Sequence, residues 1–435
     1  MLYKLSDFVS PKKLEYLAKQ TGFQKRTPKK ITPYNFLLSF INVYCSRHFS
    51  LRSWAQELSI ICNQLVSFQA IHKKLTIRHL PFLREVFSLI ISKNISCLNE
   101  VSPKCMLNFN RVLIEDSTCI KLSDSLYEHF SGSANSARST AIARLQVCLD
   151  LRKRKFENVQ ITTYSKNDIS YSSNIIERLK VKDLVIRDLG YWKTQVLYEI
   201  HQKQAYFISR LRNRVIIKDL DNEEYNLINT LKSLDKQGKT DFELLCKLNT
   251  QGDMTVKLIA SKVCVNKYKH RIDQAKKSRH KDSEIHEKTK YLLSWEIFIT
   301  NAVDDEITSV EIKQLYKLRW QIEMFFKNWK SNYQVHKLLK SSKGSDPIKP
   351  EILMYLSLIY MAAIYQPNYL KYKKSISKKF EKTLSPLKFG EYLKSIYKTR
   401  MPIESFINQL KKYCCYDTRK NRINMEMQLH RFGLG

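Results

Sequence analysis

YKLRWQIEMFFKNWK, residues 316–330, is the stretch from which the chain is best read. On a helix turning about 100° per residue, Tyr316, Arg319, Glu323 and Lys330 fall within roughly 60° of arc. Leu315, Leu318, Ile322, Phe325, Phe326 and Trp329 form an apolar stripe beside them. The stripe and a polar back are all that an amphipathic surface helix needs. The extra feature here is one acid flanked by two cations and a phenol, all facing one way. Thr308 and Glu311 form a capping box that starts this helix, and the spacing predicts it uninterrupted to Lys330. Alone, the stretch leaves two readings open: a wet face on an ordinary helix, or a site.

The remainder of the chain weighs on that choice. Its 435 residues suffice for two to four domains with real cores. Lys and Arg number 75 against 41 Asp and Glu, for a net charge of +34. A field of this sign attracts a polyanion, nucleic acid before all. An AT-rich gene would enrich Lys, but it would enrich Glu equally, so base composition does not explain the imbalance. A basic membrane-surface protein fits less well, because the cations are spread along the chain and not gathered on one amphipathic segment. The ten cysteines show no CxxC spacing and no zinc-type cluster, which points to reduced thiols in a cytoplasmic protein. The N-terminus carries no signal-peptide core. The longest apolar run, residues 352–365, is too short to span a bilayer and reads as a buried helix.

Residues 1–106 read as helical. Within residues 50–76 two short helices, the second basic through His72, Lys73 and Lys74, have the outline of a helix-turn-helix that could contact DNA. Strands begin at residue 107. An apolar strand ends in Glu115-Asp116, residues 132–139 read as a small-residue loop, and strands follow over 143–151 and 156–164. A buried strand at 184–186 runs into Arg187-Asp188, then come a helix and a strand at 205–210. A mixed α/β sheet with acids at strand ends suits a metal site. Residues 211–300 look inserted and mainly β, with a highly charged stretch at 267–290 that could line a DNA channel or simply be solvated. Residues 347–435 read as further helices, with basic segments at 371–379 and 411–422.

Two-metal phosphoryl transfer needs several carboxylates converging on two Mg²⁺ ions roughly 3.5–4 Å apart. Asp116, Asp188 and Glu323, on three separate elements, could supply them. Arg319 and Lys330 could bind phosphate oxygens, and the Tyr316 hydroxyl could donate a further hydrogen bond. Spacing alone does not select these three acids from 41.

A resemblance selects them. The chain resembles the DDE transposases of bacterial insertion sequences, in the branch marked by Y-x2-R-x3-E-x6-K. Tyr316, Arg319, Glu323 and Lys330 match all four positions. IEDST at 114–118, IRDLGYW at 186–192, YFISRL at 206–211 and FITN at 298–301 are similar to that family's motifs and stand in the same order. The resemblance covers roughly residues 107–340 well and the first 100 loosely. It implies an α/β fold with a ribonuclease-H-like catalytic core over 107–346. A mainly β insertion would fall at about 211–300, with helical regions at 1–106 (DNA-binding) and 347–435 on either side. It implies Asp116, Asp188 and Glu323 as the catalytic, metal-holding acids, with two Mg²⁺ ions for which Mn²⁺ can substitute. In relatives that form hairpin ends, a tryptophan 28 residues before the glutamate stacks on a flipped base, and Trp295 has that spacing. A core tryptophan on a strand is the alternative. Asp183 and Glu115 are decoys: the first precedes its strand, and the second points to the opposite face from Asp116.

The expectation is therefore a cut-and-paste transposase. It would bind the terminal inverted repeats of its element in double-stranded DNA, cleave the ends and join their 3′-hydroxyls to target DNA. Hairpin ends, a homodimeric synaptic complex and no membrane partner go with it. A decayed, end-binding repressor and a nuclease without strand transfer are the rivals.

Overall fold

The computed structural model describes residues 2–26, 30–45, 49–96, 104–135, 138–152, 155–213, 215–249, 252, 254–277, 285–303, 307–340, 346–397 and 402–416. The side chains of 92–96, 133–135, 138, 155, 320, 321 and 324 are outside the description.

Local chemistry sets the N-terminal helices. Ser10, Thr32, Ser50 and Ser67 each accept a backbone N–H three residues on and so begin helices Pro11–Gln20, Pro33–Tyr44, Leu51–Cys62 and Phe68–His72. Asn63, in the left-handed region at φ 49°, ends the third of these, and the chain turns into the fourth. Helix Leu80–Ser96 then crosses to the rest of the molecule.

Ten strands follow: β1 (Arg111–Lys121), β2 (Ser131–Asn135), β3 (Arg138–Asp150), β4 (Lys155–Thr163), β5 (Asp183–Arg187), β6 (Tyr206–Arg210), β7 (Ile217–Lys218), β8 (Asp241–Leu248), β9 (Thr255–Lys262) and β10 (Trp295–Thr300). Their order is β2-β3-β1-β5-β6-β10-β9-β8-β7, with β4 also on β3. β1, β3 and β4 pair antiparallel, whereas β5 joins β1, and β6 joins β5, in parallel. Helix Thr194–Gln202 makes the crossover from β5 to β6. The strands read as an insertion do not form a sheet of their own. Through β10, which pairs antiparallel with β6, they extend the same sheet.

Two expectations change here. Residues 132–135 and 138–139, read as loop, belong to the paired strands β2 and β3: their small residues are poor strand formers, and the partner strand supplies the pairing. Residues 136–137 lie outside the described residues. The apolar run at 352–365 belongs to a 33-residue helix, Ile348–Phe380, with a π-type turn over Met361–Tyr365. It is long and apolar enough to cross a membrane, yet 83% of its most apolar window is buried inside the protein, as a core helix would be. Of the charged stretch at 267–290, the described part forms helices Val265–Lys277 and Glu287–Leu293, with 278–284 outside the described residues. In the basic segment at 411–422, residues 410–414 form a π-type turn and 417–422 lie outside.

Alternation along β1 divides the core. Val112, Ile114 and Ile120 face one apolar cluster, whereas Leu113 faces another. The first cluster runs from Leu5 to Cys415 and joins the N-terminal helices, the C-terminal helices and one face of the sheet. The Tyr44 ring, for example, lies against Tyr333 and Tyr360.

Candidate active site

The strands part at the site. β5 leaves β1 after the pair Glu115–Arg187, while β1 runs on beside β3 to Lys121. Asp116 and Asp188 are the next residues on each chain, at the mouth of that opening, where an α/β sheet places its ligands. Asp116 shares a face with Ile114, and helix Trp320–Ser331 packs on that face.

This helix is not the one read from the sequence. The chain is helical over Ser309–Lys317 and again over Trp320–Ser331, with a turn at Leu318–Arg319. Backbone bonds Leu318 N to Leu315 O, Arg319 N to Tyr316 O and Ile322 N to Arg319 O step back three residues instead of four. They keep the break satisfied without Pro or Gly. A single helical wheel therefore does not apply across residues 316–330. Tyr316 ends one helix, and Arg319 starts the next. Tyr316 still reaches Asp188, and Arg319 reaches Asp116 and Glu323.

Helix Trp320–Ser331 is held from behind. Ile322 and Trp329 are fully buried. Trp329 Nε1 donates to Ser357 Oγ at 3.1 Å, and Asn332 Nδ2 donates to the Leu387 carbonyl at 2.6 Å. A side chain at Gly390 would have its Cβ 2.7 Å from Asn328 Oδ1, so the glycine permits the close approach of helix Pro386–Ile396. This bracing turns Glu323 toward the sheet.

An open cleft results, lined by Asp116, Ser117, Thr118, Asp188, Arg319, Glu323, Phe326, Lys327 and Lys330. Arg319 is its hub. Nη1 donates to Asp116 Oδ2 at 3.0 Å, and Nη2 lies 2.5 Å from Glu323 Oε1. The Tyr316 hydroxyl donates to Asp188 Oδ1 at 3.3 Å, and the guanidiniums of Arg210 and Arg319 each lie over its ring. The Ser117 N–H donates to Asp116 Oδ1 at 2.8 Å. Burial pushes the Asp116 carboxyl up to about 6, with Glu323 and Asp188 adding to the shift and Arg319 and Ser117 opposing it. Burial likewise pushes the Tyr316 phenol up to about 12 and lowers Lys330. Burial would lower Arg319 too, but Asp188, Tyr316, Glu323 and Asp116 together hold it above its ordinary value.

Six of the seven candidate residues thus meet: Asp116, Asp188, Glu323, Tyr316, Arg319 and Lys330. Trp295 does not. It opens β10 with 2% exposure, packed in the second apolar cluster under Lys262, and offers no open ring face to a base in this conformation. The alternation of β10 turns it inward together with Ile299. Of the decoys, Asp183 is buried against Arg111, and Glu115 against Arg187. Lys327 escaped the sequence reading; its position one turn after Glu323 was the available signal. Among the described residues, no three His, Cys, Asp or Glu side chains already stand close enough to hold a metal ion. The Arg319 guanidinium bonds to two of the acids, Asp116 and Glu323. The donor set itself, three carboxylates at one cleft without sulfur or imidazole, suits a hard, oxygen-seeking cation.

A second open cleft lies on the N-terminal helices. Gly22, Phe23, Lys25, Lys73, Thr76, Ile77, Arg78 and His79 line it, with no carboxylate among them.

Residues 107–359 match the family model of the transposase DDE domain. The chain belongs to this family. Among its relatives are the transposases for insertion sequence elements IS231E and IS231F of Bacillus thuringiensis (subsp. finitimus and israelensis). The first is 28% identical over 77% of this chain and 73% of that protein. The second is 26% identical over 76% and 73%. The transposase for IS1151 of Clostridium perfringens is 26% identical over 74% and 72%. A solved structure of the piggyBac transposase synaptic complex with hairpin DNA aligns with a TM-score of 0.41 at 9% identity, over 98% of this chain and 88% of that one.

Proposed function

We propose that this transposase-family chain is a cut-and-paste enzyme of the Y-x2-R-x3-E-x6-K branch, with Asp116, Asp188 and Glu323 as its catalytic acids. The observation that carries the reading is the convergence of these three carboxylates, from β1, the end of β5 and helix Trp320–Ser331, on one cleft with Arg319, Lys327 and Lys330. Three antiparallel strands followed by two parallel ones, with acids at the split, support the ribonuclease-H-like core.

In this reading the three acids hold two Mg²⁺ ions, or Mn²⁺ in their place. Bound there, the ions would supply Lewis acidity to the attacking oxygen, first water and later a 3′-hydroxyl, and to the departing oxygen. Lys327 and Lys330 draw the phosphodiester into the cleft. Arg319 exchanges Asp116 for a phosphate oxygen, which its planar fork suits better than a lysine would. Tyr316 holds Asp188 in place. As the attacking oxygen bonds to phosphorus, the bond from phosphorus to the leaving oxygen breaks, and the attacking oxygen's proton passes to solvent. The N-terminal basic cleft contacts the backbone of the terminal inverted repeats. A homodimer brings two ends together in the cytoplasm, hairpins form at the ends, and the free 3′-hydroxyls join target DNA.

The test is cleavage of end-bearing DNA with Mg²⁺. The wild type should cut at the element end, and Asp116→Ala, Asp188→Ala and Glu323→Ala should each abolish cutting while retaining end binding. Cutting by Glu323→Ala would reject the assignment. A wild type that binds ends without cutting would be a repressor, and one that cuts without end preference or joining would be a nuclease.

A further inference from the structure

β1 and β5 meet in parallel register, with Arg111 opposite Asp183 and Glu115 opposite Arg187. Both register pairs are ion pairs. Arg111 donates to the Asp183 carboxylate at 3.0 and 2.5 Å. Glu115 and Arg187 lie 2.6 Å apart. Glu115, Asp183 and Arg187 are buried, on the sheet face that turns away from the cleft.

The polarity of the two pairs is reversed. β1 presents the cation first and the acid second, whereas β5 presents the acid first. Opposite charges therefore meet at both positions in this register only. With β5 turned end for end, Arg111 would face Arg187 and Glu115 would face Asp183. Slipping by two residues would set the charges against Leu113 and Val185. Each alternative strands buried charge, which is far costlier than an exposed mismatch. One residue beyond the inner pair, and on the other face, stand Asp116 and Asp188. Arg187 also lies over the Tyr191 ring, and Tyr191 N–H donates to the Asp188 carbonyl at 3.0 Å, so the turn after Asp188 rests on the same guanidinium.

We propose that Glu115 and Arg187 are positioning residues whose buried cross-strand pair locks the parallel register of β1 and β5 and thereby sets Asp116 beside Asp188. The proposal rests on the reading of these two acids as metal ligands. Glu115 and Arg187 touch neither metal nor DNA; they act through the strands. The outer pair, Arg111 with Asp183, secures the far end of the same strands, about 13 Å away at 3.3 Å per residue.

The experiment compares two double variants of the full chain, each replacing a charge pair by apolar residues of similar size, an exchange that folds can accept. The inner variant is Glu115→Leu with Arg187→Met. The outer variant is Arg111→Met with Asp183→Leu. Mn²⁺ binding to the DNA-free protein is read by calorimetry, and end cleavage is read in parallel. The inner variant should keep the wild-type circular-dichroism spectrum but bind Mn²⁺ at least tenfold more weakly. The outer variant should bind it within about threefold of wild type. Unchanged Mn²⁺ affinity in the folded inner variant would overturn the proposal. Should that variant not fold, Glu115→Asp with Arg187→Lys keeps both charges and shortens the acid. Weakened Mn²⁺ binding there supports the proposal, and wild-type binding overturns it. A wild-type chain that neither binds Mn²⁺ nor cleaves would instead overturn the functional reading, and this inference with it.

Discussion

Arg319 reaches across 203 positions of sequence to lie 3.0 Å from Asp116. It also holds Glu323, so one guanidinium neutralises two of the three acids before any metal or DNA is present. Arg319→Ala should tighten Mn²⁺ binding to the DNA-free protein, because a competitor is removed. The same change should slow end cleavage about 10- to 150-fold, the worth of a charge-assisted bond of ~1.5–3 kcal/mol to phosphate. Calorimetry and a cleavage time course read the two effects. Weaker metal binding in the variant would remove the competitor role.

Asp116 carries a cost to the fold. Its carboxyl titrates near 6 in the folded protein, above the unfolded value, so ionisation disfavours the native state. The sign follows directly. Well below pH 4, at about pH 3, the group is protonated in both states and contributes almost nothing. Between pH 4 and 6 the penalty grows, and above 6 it is constant. Asp116→Asn should therefore be more stable than wild type at pH 7 by about 3 kcal/mol at most, with the difference vanishing at about pH 3. Urea melts at the two pH values test this, and equal stability at pH 7 would contradict it.

Trp295 separates two roles. Buried in the second apolar cluster, it should cost about 3–5 kcal/mol when cut to alanine. Thermal melting of Trp295→Ala would show this as a clear fall in Tm. A variant melting like the wild type but failing only at hairpin ends would favour the base-stacking role.

The N-terminal cleft gives a prediction in salt. Lys25, Lys73 and Arg78 line it, and burial holds the His79 imidazole below its ordinary value, so this ring adds little charge at neutral pH. Replacing the three cations by alanine should weaken end binding at low salt. It should also reduce the slope of log affinity against log salt by about 0.9 for each phosphate that is no longer neutralised. An unchanged slope would place end binding elsewhere.

Local signals in the sequence carried well. The Thr308–Glu311 capping box begins a helix, and the apolar strands of residues 111–116 and 184–186 lie where side-chain chemistry directs them. Asp116, Asp188 and Glu323, which gather at one cleft, were legible through the family resemblance, because spacing alone did not select them. The break at Leu318–Arg319 was not, since neither Pro nor Gly marks it and the apolar stripe runs through it. Nor was the grip of Arg319 on Asp116, which depends on how two distant elements pack. The pairing of residues 131–135 was hidden for a similar reason: a strand of small residues takes its structure from its neighbour.

The apolar cluster that joins both ends of the chain has a consequence in time. The backbone N–H of Tyr3 donates to Asn368, 365 residues later, and the N-terminal helices share their core with the C-terminal ones. At about 5–20 residues per second on the ribosome, the first helices wait roughly 20–70 s for those partners. Until then they close only on one another, as where Trp54 lies against Phe36 and Phe40. A chain ending before helix Pro386–Ile396 would lack part of the support behind Glu323, namely the Leu387 carbonyl and the close approach at Gly390.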